Sequence, residues 1–522
     1  MLVAKSAIRA FLARELDSFA WMKKLNRDQL LRELVELHPI PRFQTEPWLH
    51  QLVCFYIGIC YPRFIFHLDM GLGKTKIILD LIRHQQRAGR LQHALVGVPR
   101  LINIVSWLDD VERHSTLEPN PVIVEDIDEK WRALSEPQGD LTIIDYQGLA
   151  LATCKKKCGK LVRDDAKIKK LQRIYNFIDF DELHKLRNDD SLWFNVADHL
   201  SKHAEFVYGN TGTLFGRKPE VIWPQFYLID RGETFGTNKS LFRASFFTAK
   251  QTAWAVKWEF NRRSSRELQR FLDHRSLRYD DREVHDLPKV IALPMVLDMG
   301  AEQREHYLRA VQGVIDARSA GGDASTLEAP WIRMRQIVSG YLKWSDAYGD
   351  HLLEFKDNPK LQALESVLDQ LDEGQKIIIC YDYTDTGRMI SNFLNHHGIK
   401  HEWYYGGTKD KPGARRRFME DPECVGFVMN SEAGGTGTDG LQKVCHVMFF
   451  FENPAPFETR KQTVKRIDRP GQEHRPRIYD PIFRKTVDQG IIDNHNEGRD
   501  LYEDVIKGRG SQAKLKGFLL GS

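Results

Sequence analysis

The sequence predicts an α/β protein with two parallel-sheet blocks, a helical insert between them, and helical segments at both ends. Short apolar runs alternate with helical patterns over residues 45–240 and again over residues 356–495. Such alternation is typical of a parallel sheet covered by helices. Strand-like runs become rare between the two blocks. At 522 residues the chain is long enough for several units.

Each segment follows from its own pattern. Residues 1–44 have apolar residues at three- and four-residue spacing, which predicts a helical N-terminal extension, and residues 241–355 predict a mainly helical insert. Residues 496–522 are left as a charged helical tail. Buried strands are predicted in the first block at 64–68, 94–98, 141–145, 176–180 and 205–209, and in the second block at 376–380, 401–405, 425–430 and 446–451.

Composition excludes several classes of protein. The net charge of +4, from 76 Lys and Arg against 72 Asp and Glu, predicts no partner by itself. No apolar run reaches about 18 residues, so we expect no membrane span. The seven cysteines are odd in number and scattered, which is typical of a reducing compartment. Cys154 and Cys158 lack a second ligand pair, so we expect no zinc site.

A glycine-rich loop lies between a predicted strand and a predicted helix in "FIFHLDMGLGKTKIILDLI". Glycines let backbone N–H groups close around phosphate oxygens, and the following helix presents the positive end of its dipole there. We expect Lys74 to neutralise β- and γ-phosphates and the Thr75 hydroxyl to bind Mg²⁺. The alternative is a glycine turn before an ordinary helix. The predicted nucleotide-binding residues of this loop are Met70, Gly71, Leu72, Gly73, Lys74, Thr75 and Lys76.

Two carboxylates follow the predicted strand at 176–180, in "YNFIDFDELHKLRN". A carboxylate at the carboxyl end of a strand lies where open α/β sheets bind ligands. We expect Asp181 to hold Mg²⁺ through water and Glu182 to polarise the attacking water. The alternative is a solvated acidic helix start, because Asp and Glu favour the first turn of a helix.

With both motifs in order, the chain resembles the superfamily-two helicases and translocases. Four further stretches match motifs of that superfamily: "PWLHQ", "VGVPRLINIVSWLDDVERH", "GNTGTLFGRKPEVIW" and "NSEAGGTGTDGLQ". The resemblance implies that Gln51 reads adenine and that Pro99, Arg100 and Trp107 line the nucleic-acid path. It also implies that a further set couples the two lobes: His184, Thr211, Gly212, Thr213, Gly435, Gly437 and Gln462.

Within the superfamily, "DMGLGKT", "EAGGTGTDGL" and "QTVKRIDRPGQ" resemble the SWI/SNF-type (sucrose-non-fermenting) double-stranded DNA translocases over roughly residues 45–490. The resemblance implies two RecA-like lobes. Several positions depart from the usual pattern without removing a catalytic group, which favours a compact, divergent member. The departures are Leu68-Asp69, Leu183, Leu214 and Thr438-Asp439. No chromatin-reading module is recognisable in the sequence, which favours a bacterial or viral protein.

Arg466 and Arg469 lie three residues apart before a Pro-Gly pair, at a spacing that would place them on one face of a helix. The first block lacks an obvious cation for the far side of the γ-phosphate. The resemblance implies that these two arginines fill that gap as arginine fingers when the lobes close.

Two basic stretches are candidates for contacts with DNA phosphates. Residues 155–173 include Lys155, Lys156 and Lys157, and residues 262–278 include Arg262 and Arg263. The alternative for each stretch is a solvated helix face whose cations have local partners.

The resemblance implies an ATP-dependent translocase on double-stranded DNA, with ATP and Mg²⁺ as cofactors. One alternative is a helicase that separates strands or migrates branches, on DNA or RNA. Another is a nucleic-acid sensor or scaffold whose ATPase resets binding. We expect a monomer in the cytoplasm of a bacterium, or of the host cell for a viral protein, with no membrane association and with protein partners undefined.

Overall fold

The structure, a computed structural model, describes residues 19–496 except 38, 158, 213, 215–218, 252–255, 285–287, 320–323, 347–348 and 433–439. The chain divides into two compact units, Met1–His285 and Asp286–Ser522. The first 18 residues of the predicted N-terminal helical extension, and the C-terminal tail after residue 496, lie outside the described residues. The part of the extension that is described holds a short 3₁₀ helix and one α-helix.

The first unit alternates strands and helices along most of its length. Its strands are β1 (Arg63–Leu68), β2 (His93–Val98), β3 (Pro119–Pro121), β4 (Leu141–Asp145), β5 (Cys154–Lys157), β6 (Lys160–Arg163), β7 (Tyr175–Asp181), β8 (Phe206–Thr211), β9 (Phe247–Gln251), β10 (Val256–Phe260) and β11 (Ser276–Tyr279). Its helices are α1 (Arg27–Val35), α2 (Leu49–Cys60), α3 (Lys74–Arg87), α4 (Leu101–His114), α5 (Ile127–Ser135), α6 (Tyr146–Thr153), α7 (Asp165–Ile174), α8 (Leu192–Ser201), α9 (Ile222–Asp230), α10 (Lys239–Phe246), α11 (Ser265–Arg275) and α12 (Asp281–Val284).

Seven of these strands form one parallel sheet in the order β11-β1-β8-β7-β2-β4-β3. Alternate residues of a strand point to opposite faces. Phe64 and Phe66 accordingly belong to one buried cluster, and Ile65 belongs to the other. Because both faces are covered, the central strands read as the continuous apolar runs from which they were predicted.

The second unit repeats this plan. Its strands are β12 (Ile291–Leu297), β13 (Tyr341–Asp346), β14 (Gly349–Glu354), β15 (Ile377–Tyr381), β16 (His401–Tyr404), β17 (Gly426–Asn430), β18 (Val447–Phe450) and β19 (Arg477–Phe483). Its helices are α13 (Ala301–Ser319), α14 (Ala324–Ser339), α15 (Pro359–Leu368), α16 (Thr384–His396), α17 (Lys411–Glu420), α18 (Phe457–Val464) and α19 (Val487–Asn496). The parallel sheet has the order β12-β19-β18-β15-β17-β16, so the predicted class of two α/β lobes is confirmed.

The predicted helical insert at residues 241–355 differs from the structure. Strand β11 pairs with β1 in the first sheet, and β12 pairs with β19 in the second, so the two units share this segment. Both strands lie at sheet edges: β11 has only four residues, and β12 is an apolar run, broken by Pro294, in which no residue is fully buried. Pro294, which has no N–H to donate, is tolerated in β12 because edge strands leave some donors unpaired.

Two further features concern the chain as a whole. Among the described residues, the cysteines are free thiols: Cys54, Cys60, Cys154, Cys380, Cys424 and Cys445. None of the helices that the structure describes combines the length and the apolar character needed to cross a bilayer.

Candidate nucleotide site

Three neighbouring strands of the first sheet bring the predicted motifs to one edge. Strands β1, β8 and β7 are adjacent and parallel, so their carboxyl ends lie side by side. The glycine loop follows β1, Thr211 ends β8, and Asp181 ends β7. The order of strands thus gathers residues that are more than 100 positions apart in the sequence.

Two glycines give this loop a backbone conformation that other residues rarely adopt. Gly71 and Gly73 have φ angles of 85° and 73°, in the left-handed region that residues with a Cβ rarely adopt. Gly73 caps α3, which starts at Lys74 with its first N–H groups directed out of the helix end. A Cβ on Gly73 would lie 2.2 Å from Gln51 Nε2. The loop is therefore closely packed against Gln51 as well as turned by its backbone.

Two side chains of α2 form hydrogen bonds to the backbone of the glycine loop. His50 Nε2 and Gln51 Nε2 both donate to the Leu72 carbonyl oxygen, at 2.8 and 3.2 Å. Gln51 Oε1 accepts the Trp48 backbone N–H at 2.9 Å. Gln51, expected to read adenine, is thus placed as a support of the glycine loop. His50, which the motif comparison did not single out, shares that position.

The two lysines of the loop have different surroundings. Lys74 Nζ donates to the Leu68 carbonyl oxygen at 3.1 Å and remains partly exposed. Lys76, predicted to bind nucleotide, is buried and forms an ion pair with Asp80 at 2.7 Å, and its ammonium lies 5.6 Å from the centre of the Phe43 ring. Lys76 therefore has a structural role inside the unit, and Lys74 is the lysine whose ammonium group lies beside the glycine loop.

The carboxylate pair lies at the end of β7, where the backbone is constrained. Glu182 has a φ of 50°, unusual for a residue with a side chain, and its N–H lies 3.1 Å from Asp181 Oδ1. Such backbone strain costs on the order of 1 kcal/mol and is concentrated at functional sites. The turn directs the two carboxylates differently, although they are adjacent in sequence.

The two carboxylates also differ in their tendency to ionise. Burial raises the pKa of Asp181 above its ordinary value, and the negative charge of Glu182 adds to that rise. Burial also opposes ionisation of Glu182, but the hydrogen bond from His184 and the positive charge of Lys74 outweigh it and lower its pKa. Glu182 is thus held as a carboxylate, which suits a group that accepts a hydrogen bond from water.

Asp181 is positioned by two aromatic residues. Trp107 Nε1 donates to Asp181 Oδ2 at 3.2 Å, and the Tyr146 hydroxyl donates to the Asp181 carbonyl oxygen at 2.6 Å. Trp107 was expected to line the nucleic-acid path, but its side chain is buried beside the acidic pair. This placement makes it part of the candidate nucleotide site.

Cross-strand contacts join β7 to β8 at this edge. His184 Nδ1 lies 3.1 Å from both Thr211 Oγ1 and Glu182 Oε2. Asn210 Nδ2 donates to Asp179 Oδ1 at 2.7 Å, and both residues are fully buried. Burial raises the pKa of Asp179 well above its ordinary value. Polar residues inside otherwise apolar strands were the sequence feature that could have revealed this second pair.

Gly212 approaches the phosphate loop directly. A Cβ on Gly212 would lie 3.5 Å from the Leu68 carbonyl oxygen, the same oxygen that accepts from Lys74. Thr211 and Gly212 therefore lie between the loop and the acidic turn. Three other residues that were predicted to couple the lobes lie outside the described residues: Thr213, Gly435 and Gly437.

A family model for the SNF2-related domain matches residues 16–341, more than half of the chain. The chain belongs to the SNF2-related domain family. Most of the match covers the first unit, which contains the glycine loop, the acidic pair and the Thr211 strand end. The resemblance drawn from the sequence motifs is thereby confirmed.

Relatives of this SNF2-related chain include much larger proteins. Helicase SWR1 of Candida glabrata is 33% identical over 173 residues, which are 32% of this chain and 12% of that protein. The chain thus aligns with only about an eighth of that relative's length. Uncharacterized ATP-dependent helicase MG018 of Mycoplasma genitalium is 20% identical over 448 residues, 84% of this chain and 40% of that protein.

A solved structure supports the fold. The Hef helicase domain of Pyrococcus furiosus aligns with 89% of this chain and 99% of its own chain, with a TM-score of 0.50 and 14% identity. At that identity the likeness concerns the fold alone. It agrees with the two parallel-sheet units of the SNF2-related chain.

In the second unit, the two arginines lie in a turn and not on a helix. Helix α18 ends at Val464, and consecutive turns follow through Pro470 and Gly471. Arg466 is buried and Arg469 is half-buried. The expected helical face is thus wrong in detail, because the N–H groups of Arg466 and Ile467 bond three residues back, to Thr463 and Val464, in turns that do not continue the α-helix. Gln462 lies one turn earlier, on α18 itself.

Gln472 holds the turn that carries the arginines. Its Nε2 donates to the carbonyl oxygens of Ile467 and Cys445, at 3.0 Å each, and its backbone N–H donates to the Arg469 carbonyl oxygen at 3.1 Å. Gln442 Nε2 donates to the Pro470 carbonyl oxygen at 3.1 Å. The glutamine that distinguished this motif in the sequence therefore has a structural role in the turn.

The predicted nucleic-acid residues are mostly at the surface. Arg100 is exposed at the start of α4, after Pro99. Lys155, Lys156 and Lys157 form strand β5 of an exposed hairpin. Arg263 is exposed beside α11, and the Arg262 backbone lies in the adjoining 3₁₀ turn.

Proposed function

We propose that the chain is an ATP-driven motor that moves along double-stranded DNA. The observation that carries the proposal is the sheet edge where the Lys74 loop, Thr211 and the Asp181–Glu182 pair follow adjacent parallel strands, with His184 in contact with both Thr211 and Glu182. Membership of the SNF2-related family supports it, as do the relatives SWR1 and MG018, which are both named helicases. The overall activity, the DNA substrate and monomeric action are part of the proposal.

The donor set fits a nucleotide triphosphate. The loop presents the N-terminus of α3, Lys74 supplies a positive charge, and the left-handed glycines leave room for phosphate oxygens. The Thr75 hydroxyl and the Asp181 carboxylate are oxygen ligands of the kind that Mg²⁺ prefers. Mg²⁺, when bound, would neutralise charge on the phosphate oxygens.

The other residues at this edge of the first sheet each have a proposed role in ATP hydrolysis. Glu182 accepts a hydrogen bond from the attacking water and orients it. His184 contacts both the Glu182 carboxylate and the Thr211 hydroxyl. A displacement of Thr211 at the end of β8 would therefore also move the carboxylate that orients water. Trp107 holds Asp181 in its orientation. These contacts keep the groups in place before substrate arrives, which limits reorganisation during the reaction.

Two arginines of the second unit, Arg466 and Arg469, have a proposed role in hydrolysis. They would neutralise the charge that develops on the γ-phosphate, a task for which the first unit has no assigned cation. In related phosphoryl-transfer enzymes an arginine of this kind is worth about 10³–10⁵ in rate. The hydrogen bonds of Gln472 support this role because they define the turn between the two arginines.

The β5–β6 hairpin is the strongest candidate for a contact with the DNA backbone. Lys157 lies directly opposite Lys160 in the ladder, and like charges in this position repel. Within the part of the chain that the structure describes, neither forms an ion pair with a carboxylate. Nearby Lys155 pairs with Asp164 at 3.3 Å, so the hairpin base is partly neutralised and the tip is not. A polyanion would relieve the repulsion at the tip.

The location is proposed as the cytoplasm of a bacterium, or of a host cell for a viral protein. The free thiols of the described cysteines support a reducing compartment.

The test compares ATP hydrolysis by the whole chain with duplex DNA, single-stranded DNA, forked DNA, four-way DNA and RNA. We expect the duplex to stimulate hydrolysis most and the Lys74→Ala variant to be inactive with every nucleic acid. Displacement of a third strand from a DNA triplex should accompany hydrolysis, without separation of a labelled duplex. Separation of the duplex would instead support the helicase alternative. Hydrolysis without any movement would support the sensor alternative.

A further inference from the structure

Asn453 joins two buried ion pairs of the second unit. Its backbone carbonyl oxygen accepts from Arg335 Nη2 at 2.7 Å, and its side-chain Nδ2 donates to Asp480 Oδ1 at 3.2 Å. Its Oδ1 accepts from Arg460 Nη1. Asn453 is itself 4% exposed, so water cannot readily replace these partners.

On one side of Asn453, a charge cluster fixes helix α14 to the carboxyl ends of the central strands. Arg335 of α14 pairs with Asp382 at 2.8 Å, just after β15. Glu452, just after β18, accepts the backbone N–H groups of Asp382 and Tyr383 at 2.7 and 3.0 Å. Its other oxygen accepts from Thr386 Oγ1 at 2.7 Å and from Ser339 Oγ of α14.

On the other side, an ion pair fixes helix α18. The Arg460 guanidinium makes two parallel hydrogen bonds to Asp480 of β19, each 2.8 Å long, and lies 4.4 Å from the centre of the Phe450 ring. A bidentate pair of this kind restricts orientation as well as position. Arg460 lies six residues before Arg466, on the helix that leads directly into the arginine turn.

We propose that Asn453 is a positioning residue that joins the orientation of α14 to that of α18 and so sets where Arg466 and Arg469 are presented. The inference rests on the proposed function of those arginines. It adds that their placement depends on Arg335, which is more than 100 residues earlier in the sequence. Loss of the Asn453 amide leaves Arg460 and Asp480 paired but removes their link to the α14 cluster.

The test is steady-state ATP hydrolysis by the whole chain with duplex DNA, for Asn453→Ala and Arg335→Lys. We expect kcat to fall about tenfold or more for each variant, while KM for ATP changes less than about twofold, because ATP is held by the other unit. The double variant should be no slower than the slower single variant, since both changes break one linkage. Effects that multiply would show two independent defects and overturn the proposal.

Lys376→Met is the matched control. Lys376 is also buried in this unit, and its ammonium donates to the backbone oxygens of Phe418 and Asp421; these partners lie on and just after α17, not on α18. We expect it to lower the melting temperature comparably without lowering kcat. If Asn453→Ala keeps the wild-type kcat while Arg466→Ala loses it, the positioning role is wrong and the proposed function stands. If duplex DNA stimulates none of the proteins, wild type included, the proposed function itself fails.

Discussion

Trp107 Nε1 donates a hydrogen bond to Asp181 Oδ2 across 3.2 Å. The contact joins α4 to the end of β7 and places a buried indole beside the candidate magnesium ligand. Because a hydrogen bond to an ionised group contributes about 1.5–3 kcal/mol, its loss should be measurable in catalysis.

Trp107→Phe should lower kcat for ATP hydrolysis by about tenfold, because the aromatic packing remains while the N–H donor to Asp181 is lost. Trp131→Phe is the control, because the recorded partners of the Trp131 ring are the ammonium groups of Lys167 and Lys170, 4.8 and 5.5 Å from its centre. The measurement is steady-state hydrolysis at saturating nucleotide. Equal rates for Trp107→Phe and wild type would contradict the positioning of Asp181 by Trp107.

Gly73→Ala should abolish ATP binding. The backbone there has a φ of 73°, and the new Cβ would lie 2.2 Å from Gln51 Nε2. Gly89→Ala provides the comparison, since its φ is 69° and no atom lies within 4 Å of the added Cβ. Both variants should lose about 1 kcal/mol of stability from the left-handed backbone, and only Gly73→Ala should also lose nucleotide affinity in a titration. Loss of affinity in both would show that backbone strain alone is responsible.

Replacing Lys156, Lys157 and Lys160 with alanine should weaken duplex binding and flatten its salt dependence. Each phosphate contact contributes a slope of about −0.9 in log affinity against log salt, so three lost contacts predict a slope smaller by up to about 2.7. The control removes three cations that are paired with carboxylates: Arg309, Arg388 and Lys400. An unchanged slope in the hairpin variant would remove the hairpin from the DNA contact surface.

The stability of the second unit should decrease in mild acid because of His495. Burial lowers the pKa of His495 to about 4, and Arg460 and Arg335 add positive charge nearby. An unfolded histidine titrates near pH 6.5, so between about pH 6.5 and 4 the unfolded chain binds a proton that the folded chain does not. Stability therefore falls as pH drops through this window, by about 2 kcal/mol between about pH 7 and 5.

Urea unfolding at these two pH values should show that loss in wild type and a smaller loss in His495→Gln. The variant retains a polar side chain but has no group that titrates in the window. Identical losses in the two proteins would show that other groups cause the acid sensitivity.

The sequence predicted the centre of the fold better than its edges. Central strands such as β2 and β15 are buried on both faces, so their apolar runs were visible. Strand β11 is four residues of mixed composition and β12 is an apolar run broken by Pro294; both lie at sheet edges, and they were assigned to a helical insert. Local patterns report burial, and an edge strand is defined chiefly by its partner.

Some features of the candidate site could also be predicted from the sequence, and others could not. The glycine loop and the acidic pair follow from short motifs, because adjacent residues define each of them. The contact of Trp107 with Asp181, separated by 74 positions, depends on how α4 packs and was not predicted. The same holds for Arg335 and Asn453, which meet across 118 positions through a backbone oxygen that no side-chain pattern reveals.

We propose that ATP bound at Lys74 is hydrolysed with the help of Arg466 and Arg469. The most direct measurement is duplex-stimulated kcat for Arg469→Ala beside wild type, with ATP affinity determined for both. We expect kcat to fall by about 10³ or more while ATP affinity stays within a few fold. Arg388→Ala, which removes an exposed arginine paired with Asp385, should leave both unchanged. Full duplex-stimulated hydrolysis by Arg469→Ala would show that Arg469 has no catalytic role.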